Sequence, residues 1–297
     1  MGSGEPHFWG DLQKFTELCV NLGIQQPQID RLLQCHAFYL PHFPYGANLL
    51  AFADDEKHLT LALRSTNVRV ILVSADLATS HDGRILPTSR PKYVFWTLVE
   101  YQHRQPRSLQ PTMIASSAVI AAGATVDPYG CRIGHRTRIE HGAVICKGTV
   151  IGDDCSIGPG TVIGSDGLEI KDTLFGWIRI SHEAGVQIHN RVVIGANCTI
   201  NRGLLGNDTI IQQETMIDSG VHIAHACQIG QRNTITAHAT LGGSVVTGNE
   251  VFIGLNATIV NAVTICDAAF IGAGAIVARS ISEPVRVLPY PSKTLPN

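Results

Sequence analysis

Residues 205–277 read LGNDTIIQQETMIDSGVHIAHACQIGQRNTITAHATLGGSVVTGNEVFIGLNATIVNAVTICDAAFIGAGAIV. Counted in sixes, an aliphatic side chain keeps returning: Leu205, Ile211, Ile217, Ile223, Ile229, Ile235, Leu241, then Ile253, Ile259, Ile265, Ile271 and Val277, with Thr247 the break in the row. The next residue is often small or a turn former, as at Asp218, Ala224, Gly230, Gly242, Gly254 and Gly272. An α-helix repeats near ~3.6 residues and an ordinary strand near ~2. A period of six is neither. It describes a coil of three short strands around a triangular prism, the aliphatic turned inward and Gly or Asp at the corner. One coil leaves its own edges bare, so coils stack, each pairing with the next at ~4.8 Å.

The same spacing runs further back. Ile114, Ile120 and Val126 lead, after one extra residue, to Ile133, Ile139, Ile145, Ile151, Ile157 and Ile163. The period then fails over 164–185, GSDGLEIKDTLFGWIRISHEAG, and resumes at Ile188, Ile194 and Ile200 with a shift near Gly203. A long excursion from a regular solenoid is either a plain insertion or a loop that carries function. Phe175 and Trp177 favour the second reading, because exposing them without a partner is costly. Residues 1–105 have no six-residue period. Amphipathic Trp9–Leu22, strand-like Ala47–Ala53, helical Asp54–Arg64, the β-branched run VRVILVS at 68–74 and helical Val94–Gln102 predict a small α/β domain. The expectation is a mainly β chain: residues 1–105 as that domain, a linker around Pro106 and Pro111, a β-helix over 106–281 with the inserted loop at 164–185, and an extended Pro-rich tail over 282–297. Prisms of this repeat are, as a fold, left-handed parallel β-helices, an exception to right-handed crossovers; the pattern itself does not give the hand.

Composition excludes several classes. The net charge of −2 over 297 residues gives no nucleic-acid groove or polybasic membrane patch. No apolar run reaches the ~18 residues of a membrane span, and MGSGEPHFWG lacks the basic start and apolar core of a signal peptide. A cytoplasmic location is expected. Of eight cysteines, Cys131, Cys155, Cys198 and Cys227 each stand two places before a repeat aliphatic, where Thr, Ser or Ala stands in other repeats. They read as small inward-facing residues. No CxxC spacing suggests zinc, and no metal site or tightly bound cofactor is expected.

GSDG at 164–167, W-x-R-I at 177–180, VQIHNRVVIGANCTINRG at 186–203, Asp208–Thr209, Ile217–Asp218 and Ile223–Ala224–His225 follow in order. In that order and spacing they resemble the UDP-3-O-(3-hydroxyacyl)glucosamine N-acyltransferases of lipid A synthesis, over most of 112–245. LLAFADDEKHL at 49–59 is similar to that family's uridine-binding segment, and the text from Gly242 onward is similar to acetyltransferases acting on nucleotide-linked amino sugars or sialic acid. The resemblance implies an acyltransferase with a nucleotide-sugar acceptor, an acyl-CoA or acyl-carrier-protein donor and sites in clefts of a homotrimer. It puts the catalytic base on His225 and an acidic position on Asp218. It puts acceptor contacts on Phe52, Asp55, His58, Ser165, Asp166, Trp177 and Arg202.

The residues support the base independently. His225 stands two places after Ile223, at a corner, and Gly243 stands 18 residues later, one coil away. An amine attacking a thioester must lose a proton, which suits an imidazole with a pKa near ~6.5. The carbonyl oxygen becomes an anion and needs a fixed donor, which a glycine N–H supplies at close range. Asp218 either orients the imidazole or closes an Asx turn. His222 and His238 are read as packing or solvent-facing residues.

The chain also departs from the family. Asp55 stands where it has Asn, and an ionised carboxylate only accepts; His58 stands where it has Tyr. Ala262 stands at its second active-site histidine and Ala226 at the asparagine after the first. The family's helices after the prism have no match, so coenzyme A is kept beside carrier protein as donor. Three other readings remain: a sugar hydroxyl as acceptor, a zinc hydratase of the same prism, and a non-catalytic scaffold. The hydratase's H-x4-H spacing has no counterpart, since His222 and His225 are three apart.

Overall fold

A computed structural model describes residues 8–38, 47–78, 82–105 and 110–289. The chain divides into two compact units, Met1–Ser108 with Leu168–Glu183, and Leu109–Gly167 with Ala184–Asn297.

The larger unit is the predicted parallel β-helix. Among the described residues its strands, two to four residues each, form three parallel sheets of eight, eight and nine strands. The register states the repeat directly. His222 pairs with Thr240 and Ile223 with Leu241, an 18-residue step from one coil to the next. Ile145, Ile163, Ile200, Ile223, Leu241 and Ile259 thus stack in one column, each buried. Burying such a side chain contributes about 1.5–3 kcal/mol, and the three columns form one continuous core. At one corner the stacked residues Arg136, Asp154, Arg191, Glu214, Arg232 and Glu250 all have φ between +52° and +62°. Left-handed backbone costs a non-glycine residue about 1–2 kcal/mol. Here the turn is held by its neighbours, and the side chains pair from coil to coil: Arg136 with Asp154, Arg191 with Glu214, Arg232 with Glu250.

Three details of the pattern acquire a physical reason. Thr247 breaks the aliphatic row because its hydroxyl takes the Nδ2–H of buried Asn233 at 2.7 Å and the Gly230 N–H at 3.1 Å. Leu205 is not a strand residue, contrary to the count in sixes. It lies in a tight turn at φ +54°, and the long tract of coils begins with the strand Thr209–Ile211. Cys131, Cys155, Cys198 and Cys227 are buried, each thiol lying against a carbonyl oxygen of the next coil or corner. At the C-terminal end, Arg286–Val287 pairs with Phe270–Ile271 and Ile281 bridges to Ile265, covering sheet edges that would otherwise offer open backbone groups. The expected tail beyond residue 289 lies outside the described residues, as do residues 1–7 and the linker at 106–109.

Among its described residues the smaller unit carries a four-stranded parallel sheet, ordered β1 (Ala37–Phe38), β2 (Leu49–Ala53), β3 (Val68–Val73), β4 (Ile85–Pro87). Its helices are α1 (Leu12–Asn21), α2 (Gln26–Leu32), α3 (Glu56–Arg64) and α4 (Pro91–His103). Asp11 starts α1 by accepting from the Gln13 and Lys14 N–H groups. β1, β4 and α2 were not read from the sequence. Two- and three-residue strands show no alternation, and Pro87 closes β4.

The excursion in the repeat is an antiparallel hairpin, Ile170–Thr173 with Gly176–Arg179, and it packs on α4 within the smaller unit. Two buried polar side chains of α4 hold it. Thr97 Oγ1 accepts from the Leu174 N–H at 3.0 Å, and Glu100 accepts from the Ser181 N–H at 3.0 Å and from Arg104 Nε at 2.8 Å.

Candidate active site

His225 sits at the corner after the strand His222–Ile223, and Ala226 makes that corner at φ +59°. Its ring, half-buried, lies directly over the corner of the next coil. A Cβ built on Gly243 would fall 2.6 Å from both Cε1 and Nε2 of His225, closer than carbon atoms approach. Only glycine admits the imidazole in this position. The amides on either side of Gly243 are committed: Gly242 N–H to the Ile259 carbonyl and Ser244 N–H to the His225 carbonyl, both at 2.9 Å. No carbonyl among the described residues accepts from the Gly243 N–H. An imidazole and a backbone donor therefore meet across one coil spacing.

Asp218 stands at the preceding corner of the same coil. It is exposed, and its Oδ1 accepts from the N–H of the next residue, Ser219, at 2.7 Å, not from the residue two places on that an Asx turn would use. His222 points outward from its strand, half-buried, and burial holds its pKa below the ordinary histidine value.

Ser165, Asp166 and Arg202 are gathered where the excursion leaves the prism. Arg202 N–H donates to the Ser165 carbonyl at 2.9 Å, Asn201 Nδ2 to Ser165 Oγ at 3.0 Å, and Arg202 Nη1 stands 3.9 Å from Asp166 Oδ1. Arg202 is 6% exposed, and its guanidinium also donates to the Lys147 carbonyl. This cluster ties down the root of the insertion.

In the smaller unit, Phe52 on β2 packs against Phe95 of α4, ring centroids 4.8 Å apart. Asp55 and His58 are turned on each other: Asp55 Oδ1 takes both the backbone N–H and the ring Nδ1 of His58 at 2.7 Å, capping α3. The His58 N–H, and after it the ring, hold the Asp55 carboxyl below the usual carboxylate range. Trp177 is 77% exposed. Sequence reading missed a cavity of about 330 Å³ in this unit, walled by Asp54, the opening of α4 at Arg90–Tyr93, Trp96 and Lys171–Asp172. Its signal was RPKY at 90–93: a proline at the first helical position with basic neighbours. Placing the helix start at Val94 left those residues unread.

Comparison with known proteins bears on the same geometry. Models of the hexapeptide repeat of bacterial transferases match residues 130–165 and 208–243, and one of the succinyl-transferase hexapeptide repeat matches 244–279. A UDP-3-O-acylglucosamine N-acyltransferase of Coxiella burnetii is 33% identical over 266 residues, covering 79% of this chain and 76% of its own. The chain belongs to the UDP-3-O-acylglucosamine N-acyltransferase family. A second member, from Herminiimonas arsenicoxydans, is 35% identical over 153 residues, covering 52% of this chain and 43% of its own. Thus the chain spans about three quarters of one N-acyltransferase relative and less than half of the other. Among solved structures, a UDP-N-acetylglucosamine acyltransferase from Campylobacter jejuni is 26% identical at a TM-score of 0.49, covering 57% of this chain and 66% of its own. Among the described residues, no helix of this family member is long and apolar enough to cross a membrane.

Proposed function

We propose that this acyltransferase moves an acyl group from a thioester, acyl-CoA or acyl-carrier protein, to the amine of a UDP-linked glucosamine derivative. The observation that carries the reading is the contact of the His225 ring with Gly243 across adjacent coils. As the amine attacks, a C–N bond forms and His225 takes the proton that the nitrogen sheds. The carbonyl oxygen becomes an anion, which the Gly243 N–H is free to meet. Collapse of the tetrahedral intermediate breaks the C–S bond, and the thiolate leaves with a proton returned through the imidazole.

Asp218 stands one corner before His225 with its carboxylate on the Ser219 N–H, and in this reading it acts beside an imidazole of a second copy of the chain. A homotrimer with the thioester arm lying in the cleft between copies accommodates this. The smaller unit holds the nucleotide end of the acceptor in this reading, and the Ser165–Asp166–Arg202 cluster supports the insertion. The test is to incubate the protein with acetyl-CoA, long acyl-CoA or acyl-carrier protein and a UDP-linked amino sugar, reading products by mass spectrometry. An amide product supports the reading; an ester, or no product with any donor, overturns it.

A further inference from the structure

A second cavity of the smaller unit, about 300 Å³, opens at the N-terminal ends of β3 and β4. It is walled by Arg31 and Gln34 at the end of α2, Arg69 on β3 and the turn Asp82–Gly83–Arg84 that leads into β4. Because β2, β3 and β4 run parallel, this end of the sheet is opposite the end where β2 gives way to the Asp55–His58 cap. Nothing in the proposed reaction uses it. Three guanidinium groups meet one carboxylate here, which leaves two positive charges unmatched at the wall.

The three arginines are not equivalent. Arg84 is fully engaged: it grips Asp82 through Nε at 3.0 Å and Nη2 at 2.8 Å and donates to the Ser65 and Leu63 carbonyls, both at 2.9 Å. The Arg84 guanidinium holds the Asp82 carboxyl at about 2, so the two charges match each other throughout the neutral range. Arg31 reaches the Gly83 and Ile85 carbonyls with Nη2 alone, at 2.7 and 3.1 Å. Arg69 places Nε and Nη2 on the single oxygen Gln34 Oε1, at 3.1 and 2.6 Å. Nε and Nη1 of Arg31 and Nη1 of Arg69 have no acceptor among the described residues. Each of these two side chains is therefore fixed at one edge by a neutral oxygen and open at the other. A guanidinium already held in place loses less freedom when a ligand arrives, and its fork of N–H donors fits the oxygens of an oxyanion. Among the described residues neither has a carboxylate partner that a ligand must first displace.

We infer that this cavity binds a small dianion of the phosphate class, held between Arg31 and Arg69. Such a ligand joins the end of α2 to the edge of the sheet and stabilises the folded chain by mass action. The test uses the full chain in phosphate-free buffer. Inorganic phosphate and glycerol phosphate are the probes, chloride at matched ionic strength is the control, and calorimetry and thermal melting are the readouts. Phosphate is expected to bind and to raise the melting midpoint beyond the effect of chloride, which reports screening alone. Arg69→Gln removes the charge at an exposed strand position. It should weaken phosphate by about tenfold or more while its midpoint without ligand stays that of wild type. Arg31→Gln should weaken it as well, but it also frees the Gly83 and Ile85 carbonyls, so Arg69→Gln is the deciding variant. Either order of the two probes supports the inference: tighter glycerol phosphate makes a phosphate ester the source, and tighter inorganic phosphate makes it the free ion. Wild-type protein that binds neither probe overturns the inference, as does Arg69→Gln that binds both with wild-type affinity.

Discussion

At the scale of the residue, Gly243 has a requirement that can be measured. A methyl group there would lie 2.6 Å from the His225 ring, so the ring must move. Gly243→Ala is expected to fold, because Gly243 itself is not in left-handed backbone, that role at the corner falling to Ser244, but to lose on the order of 10²-fold in rate through misplaced imidazole and oxyanion donor. A steady-state assay with a thermal melt checks it. The closeness of His225 to Gly243 was legible in the sequence because an 18-residue step is fixed by the coil, whatever the side chains. The Asp55–His58 contact was not, because a helix cap and a ligand contact use the same residue types at the same spacing.

Single elements give two further expectations. Thr247→Val restores the apolar row but removes one of the two acceptors of Asn233 Nδ2 and the acceptor of the Gly230 N–H. The variant should lose about 1–3 kcal/mol in chemical denaturation, although hydrophobic pattern alone predicts a gain. Glu100→Ala removes the acceptor of the Ser181 N–H and the partner of Arg104. The hairpin should then be cleaved faster by protease within 168–183 and exchange its amide protons faster, with the prism unaffected. The break in the six-residue period marked this element plainly. Its partner did not show, since Thr97 and Glu100 look like ordinary surface positions of α4 until the hairpin covers them. For the same reason RPKY went unread: a cavity wall is built from segments distant in sequence, and no periodicity links Arg90 to Lys171.

Across the whole molecule, the prism was the most legible part, because one inward aliphatic per six residues leaves few other ways to bury the row. The inward direction of its thiols extends that argument. Burial pushes the Cys227 thiol up to about 12 and raises those of Cys131, Cys155 and Cys198. At pH 8 in native protein these four should resist alkylation, while half-buried Cys146 and Cys266 react first; mass spectrometry after iodoacetamide reads the order. The units differ in how much reading they allowed: the coil repeat constrains every sixth residue, whereas in the α/β unit only the longer β2 and β3 show a pattern, and the two- and three-residue β1 and β4 are set by tertiary pairing. The most direct test of the account is single-turnover amide formation on a UDP-linked amino sugar by wild type and His225→Ala. The expected result is an acylated amine, formed 10²–10⁴-fold more slowly by the variant with its melting and assembly unchanged. Equal rates from the two proteins would contradict it.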